Sequence, residues 1–218
     1  MTFVAEATCG ARVVGSAAQR RRGSGPRGQS RGDVRTRLVL AAARLFVERG
    51  FLQTSVEDLL GAARISRASF YTYFENKIAL LAALVDEHIE RRTRHFHDLA
   101  QLGRPDVEQV ASWFKKVGET SREQAGIVRL MRLAVALDPG LMQRFVRARD
   151  KYAEILGENF PRLDLSIGDD EEREARRATA HLLIIQVEQF ASSSADGSWY
   201  LDVDITSRTF ARLLMRYA

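Results

Sequence analysis

From Asp33 to the C-terminus the apolar residues recur at the helical period of about 3.6 residues, and capping residues punctuate the runs. No stretch alternates convincingly in the two-residue period of a half-buried strand. The pattern predicts an all-α chain of about nine helices. Leu38, Ala42, Leu45 and Phe46 line a first helix that Gly50 can end in a left-handed cap. Thr54, with Glu57 three residues on, reads as a capping box opening a second helix with the stripe Val56, Leu59, Leu60 and Ala63. Ser66 can cap a short third helix running through Phe74, and Asn76 a long fourth whose stripe runs Ile78, Leu81, Ala82, Val85, Ile89 and on to Phe96.

Further on, Asp106 caps a helix carrying Val110, Trp113, Phe114 and Val117, and Ser121 with Gln124 reads as another capping box. Asp138-Pro139 opens a helix running to about Phe160. The acids Asp169 to Glu172 suit a helix N-terminus, and from Ala178 to Phe190 that helix is apolar nearly all round. Asp204 caps the last helix, and Ser192 to Asp202 forms the one loop of substance.

The charge is unevenly placed. Residues 1–32 carry Arg12, Arg20, Arg21, Arg22, Arg27 and Arg31 against Glu6 alone, so the formal surplus of +5 sits in this tail. The tail is glycine-rich and too polar to bury a core, so it is expected to be disordered. It is either a basic arm for DNA phosphates or a minor groove, or a solvated extension. No window approaches the roughly 18 apolar residues of a membrane span. Glu6 interrupts the only apolar stretch ahead of the arginines, so no secretory signal is expected and the chain is expected to be cytoplasmic. Cys9 is alone, which excludes an intrachain disulfide and a cysteine-rich zinc site.

Thr54 to Phe74 places two short helices around a turn at Arg64 to Ser66, the layout of a helix-turn-helix. On the third helix, Phe70 and Phe74 share a buried edge. Ala68, Ser69 and Thr72 form an outward strip of small side chains flanked by Tyr71 and Tyr73. Small residues let a helix approach the floor of the major groove, and flanking hydroxyls can reach its phosphate walls.

The stretch from Arg35 to Leu81 resembles the DNA-binding domain of the TetR family of bacterial transcriptional regulators. The matching pieces are the first helix with its glycine end, TSVEDLL, and above all ISRASFYTYFENKIALL. The resemblance implies phosphate contacts from Thr54, Tyr71, Tyr73 and Lys77, and base-edge contacts from Arg67, Ala68, Ser69 and Thr72. One departure stands out: most members have Gly where this chain has Arg64. A positive φ there costs a non-glycine residue on the order of 1 kcal/mol.

The implied organisation has a basic tail over 1–32, a three-helix DNA-binding domain over 33–80, and a C-terminal helical domain over 81–218 tied on by the long fourth helix. In the family, that second domain binds a small effector and dimerises, commonly through the last two helices. The segment HLLIIQVEQF suits this, since a helix apolar on most sides must bury more than one face. Candidate pocket residues are Trp113, Phe114, Met131, Phe145, Tyr152, Phe190 and Trp199, a mix that favours an apolar or aromatic effector. Arg129 and Arg132 could meet a carboxylate, although a solvated face explains them as well.

Other signals are discounted. His88, His95 and His97 lie near Asp86 and Asp98, but His95 and His97 point to nearly opposite sides of a helix, so they read as exposed polar positions. No phosphate loop, hydrolase elbow, zinc-protease or dinucleotide fingerprint occurs, and neither an enzyme nor a cofactor is expected. The expected function is a ligand-responsive repressor that reads an inverted-repeat operator as a homodimer. The rival is an activator, or an architectural DNA-binding protein that takes no effector.

Overall fold

The structure, a computed structural model, describes residues 31–218; the expected tail, except for Arg31 and Gly32, lies outside the described residues. Nine α-helices follow in order among the described residues: α1 Arg31–Glu48, α2 Val56–Ala63, α3 Arg67–Tyr73, α4 Lys77–Ala100, α5 Val107–Glu123, α6 Ala125–Leu137, α7 Gly140–Gly157, α8 Asp170–Asp196 and α9 Val203–Leu214. Short 3₁₀ turns at Pro161–Leu163 and Met215–Tyr217 complete them, and the described residues contain no strand. None of these helices is long and apolar enough to cross a membrane.

Several helix starts differ from the sequence expectation. The box that opens α2 is Ser55 with Asp58: each side chain bonds the other's backbone N–H, at 3.1 and 2.9 Å. The motif fits both registers, and Thr54 loses because its side chain is buried. Ser121 opens nothing. It lies inside α5 and donates back to the Val117 carbonyl at 2.7 Å. The last helix is capped by Asp202, which accepts from the Ile205 N–H, while Asp204 pairs with Lys115 at 2.7 Å. Helix α8 continues to Asp196, so most of the loop expected from Ser192 is helix, and α7 stops at Gly157, ahead of the expected Phe160. Asn76 and Asp106 cap α4 and α5 as expected.

Two apolar clusters organise the fold. The first gathers Leu38, Leu45 and Phe46 of α1, Leu59 of α2, Phe70 of α3 and Leu80 to Val85 of α4. Leu130, Met131 and Ala134 of α6 belong to it as well. The second is aromatic: the Phe114 ring stacks between Phe190 at 4.3 Å and Phe210 at 4.2 Å, and Phe96 stacks on Tyr152 at 4.5 Å. Gly118 lets α5 approach α8 this closely, since a Cβ there would meet the Phe190 ring at 2.6 Å. Helix α4, about 36 Å long at 1.5 Å per residue, contributes to both clusters, and Ile89 packs against each.

Candidate nucleic-acid interface and ligand cavity

The turn between α2 and α3 is built on a left-handed residue. Arg64 has φ 52° and ψ 55°, the one positive-φ non-glycine residue among those described. Its N–H donates to the Gly61 carbonyl at 3.3 Å, and the Ile65 N–H donates to the Leu60 carbonyl at 3.1 Å. This pair of bonds is a Schellman motif, which consumes two carbonyls that the end of α2 would otherwise leave unpaired. Ile65 and Leu60 both pack on the first cluster, supplying the apolar contact that accompanies the motif. Ser66 then caps α3 by accepting from the Ser69 N–H.

Helix α3 is anchored by Phe70, which is fully buried, and by Phe74 just past its end. On the other side Arg67, Ala68, Tyr71 and Thr72 are exposed, with Ser69 and Tyr73 half-buried at the edges. Arg67 ion-pairs with Glu57 of α2, and its guanidinium lies 5.9 Å from the centre of the Tyr71 ring. Glu57 and the adjacent Tyr71 hydroxyl hold the Arg67 pKa above its ordinary value. The Thr72 hydroxyl donates to the Ala68 carbonyl at 3.0 Å, which leaves its methyl group and oxygen lone pair outward.

Thr54 and Lys77 are placed differently from the other six DNA-contact candidates. Thr54 is 1% exposed, and its hydroxyl donates to the Gly50 carbonyl at 2.8 Å, with the Leu45 carbonyl at 3.4 Å. The Lys77 ammonium donates to the Phe51 and Thr54 carbonyls at 2.6 and 2.8 Å and lies 4.3 Å from the Phe51 ring centre. Burial lowers its pKa. Thr54 therefore ties the α1–α2 turn to the end of α1, and Lys77 ties the same turn to the start of α4.

A second feature is a cavity of about 340 Å³ lined by α4, α6, α7 and α8. Of the seven expected pocket residues, Met131, Phe145 and Tyr152 line it. Trp113, Phe114 and Phe190 do not: they are buried in the aromatic cluster, and Trp199 packs edge-on against Phe190 at 4.9 Å. The Trp113 indole N–H is spent on the His95 carbonyl at 2.6 Å. Among the cations, Arg132 lines the cavity and pairs with Asp196 at 2.8 Å, whereas Arg129 is exposed elsewhere.

The histidines also need correcting. His88 and His95 are half-buried, and only His97 is exposed. Burial, aided by the charges of Arg92, Arg91 and His95, drives the His88 pKa down to about 3. No metal-binding cluster occurs among the described residues. The reading of residue types missed Arg92, which lines the cavity and is 9% exposed. A signal was present: Val85, Ile89, Arg92 and Phe96 follow helical spacing, so Arg92 interrupts an apolar stripe.

The pattern of the family described as bacterial regulatory proteins, tetR family, matches residues 38–84. Residues 38–84 thus carry the TetR-family DNA-binding pattern. It is 41% identical over 71 residues to the HTH-type transcriptional regulator EthR of Mycolicibacterium smegmatis, covering 32% of this chain and 33% of that one. It is 29% identical over 100 residues to the HTH-type transcriptional repressor DhaR of Mycobacterium sp. strain GP1, covering 45% and 50%. The matched stretch thus spans a third to a half of these relatives' own length. Among solved structures, Salmonella enterica GusR superposes with a TM-score of 0.61 at 23% identity, covering 84% of this chain and 95% of that one. At that identity the likeness shows the fold.

Proposed function

We propose that the chain is a sequence-specific DNA-binding transcriptional regulator: a ligand-responsive repressor that binds an inverted-repeat operator as a homodimer. The observation that carries the reading is α3, whose buried Phe70 holds Arg67, Ala68, Tyr71 and Thr72 out to solvent. Arg67, Ala68, Ser69 and Thr72 would meet base edges, and Tyr71 and Tyr73 phosphates. Arg67 can exchange Glu57 for DNA because an exposed ion pair contributes little. Thr54 and Lys77 would support binding from within, by fixing the angle at which α2 and α3 leave the turn.

The reading assigns DNA recognition to residues 33–80, and ligand binding and dimerisation to residues 81–218. Leu182 on α8 and Ile205 and Leu213 on α9 are exposed apolar residues, at 64%, 67% and 39%. They support pairing of two copies through the last two helices. The packing also supports a route for regulation. Helices α4 and α6 both line the cavity, and both pack into the cluster that holds α1 to α3. Met131 does both at once. A ligand that shifted α4 or α6 would move the reading helices by as much as its affinities for the two states differ, typically about 1–3 kcal/mol.

The test is selection of bound fragments from sheared genomic DNA at about 150 mM salt, where purely electrostatic binding is suppressed. Enrichment of one inverted repeat is the expected result. Uniform retention would overturn sequence reading in favour of an architectural role.

A further inference from the structure

The cavity between α4, α6, α7 and α8 contains one cation too many. Its charged lining residues are Arg92, Arg132, Arg149 and Glu188, with His88 beside them. Glu188 is taken by Arg149, whose Nε and Nη2 both donate to Oε2 at 2.9 and 2.7 Å. Arg132 is taken by Asp196, outside the lining. The Tyr152 hydroxyl donates to the Ile89 carbonyl at 3.3 Å. Arg92, nine-tenths buried, has no hydrogen-bond or ion-pair partner among the described residues. Burial lowers its pKa more than nearby Tyr152 and Glu188 raise it, and a guanidinium stays charged at neutral pH. His88, one helical turn before it, is held neutral and adds no second charge. On its other side Arg92 borders a smaller cavity of about 250 Å³, whose one carboxylate, Asp98, faces Arg91, Arg94 and His95 there and Lys116 at 3.8 Å.

A buried cation left unpaired is costly, and proteins seldom keep one without a use for it. Most of the remaining wall is apolar, with Met131, Val135, Met142, Phe145 and Ile185, and Gln189 and Ser192 add uncharged polar groups. We infer that the cavity binds an amphipathic organic acid, its carboxylate on the Arg92 guanidinium and its apolar body against those side chains. The planar fork of Arg matches a carboxylate with two parallel hydrogen bonds, and the largely apolar wall strengthens them. The inference deepens the regulatory reading and rests on it only for the consequence to DNA. Binding itself follows from the cavity.

Isothermal titration calorimetry on the full chain with decanoate, phenylbutyrate, decanol and decylamine tests it. The two acids are expected to bind, with decanol roughly ten- to a hundredfold weaker than decanoate and decylamine weaker still. Arg92→Met should bring decanoate down to the level of decanol while leaving decanol unchanged or improved. Arg92→Lys should keep part of the preference. Without ligand, Arg92→Met should melt no lower than the parent, since it removes an unpaired charge. Binding of neither acid, a preference for acid that survives Arg92→Met, or a marked fall in melting temperature of that variant would each overturn the inference. Operator release is measured separately. If acids bind through Arg92 yet leave the DNA complex unchanged, the inference stands and ligand-responsive repression fails.

Discussion

Replacing Arg64 by glycine should stabilise the protein, an unusual direction for removing a long side chain. Arg64 holds φ 52°, where Cβ crowds the backbone of any L-residue other than glycine. That conformation costs about 1–2 kcal/mol relative to the right-handed region. Glycine relieves the strain but returns about 0.4–1 kcal/mol through the greater freedom of the unfolded chain. The net expectation for Arg64→Gly is a gain of about 0.5–1 kcal/mol, or roughly 1–4 °C in melting temperature for a chain of this size. The two Schellman bonds involve only backbone atoms, so they survive and α3 keeps its angle. Arg64→Ala is the necessary control, because it removes the guanidinium and keeps the strain. Its stability should stay within about 0.5 kcal/mol of the parent. Thermal and urea unfolding of the full chain, followed by circular dichroism, reads both. If Arg64→Gly proves no more stable than Arg64→Ala, the strain argument is refuted. Operator binding supplies a second readout. If the Arg64 guanidinium reaches a phosphate, both variants should lose about one charge from the salt dependence of binding.

Four further outcomes are expected. Lys77→Met leaves the Phe51 and Thr54 carbonyls without their donor, so it should cost about 2–4 kcal/mol in urea unfolding. Gly118→Ala drives a methyl group into the Phe190 ring and should cost about 1–3 kcal/mol, read as a lower melting temperature. His88 binds its proton far less readily when folded than when unfolded, so the stability it confers is present above pH 6.5 and is lost as the pH falls toward 3. Between pH 7 and 5 the loss is about 2 kcal/mol, and a His88→Gln variant should lack that part of the decline. Thr72→Ala should change preference at particular base pairs in a binding selection while leaving the salt dependence alone. An unchanged preference would show that α3 meets DNA through another face.

Much of this architecture was legible in the sequence because helices are specified locally. Apolar spacing and capping residues lie within a turn or two of each other, and all nine helices were anticipated in order. The helix-turn-helix was equally readable, since Phe70 and Phe74 against Ala68, Ser69 and Thr72 is a pattern contained in one short helix. Local rules falter where two registers satisfy them. Both Thr54 with Glu57 and Ser55 with Asp58 have capping spacing, and the choice falls to Ser55 because Thr54 is buried beneath the end of α1.

The cavity depended on packing between distant segments. Periodicity marks Phe114, Phe190, Met131 and Phe145 alike as inward-facing, yet it does not say what each one faces. Only the assembled helices stack Phe114 between Phe190 and Phe210 while leaving Met131 and Phe145 beside empty space. Arg92 shows the same division. The sequence by itself determined that an arginine interrupts the inner stripe of α4. Tertiary structure alone decided its surroundings, because Arg149 approaches from α7 to take Glu188 of α8, the carboxylate that would otherwise be free to neutralise it. Burial and charge pairing are sums over neighbours that sequence distance does not order, whereas helical periodicity is a property of neighbours along the chain.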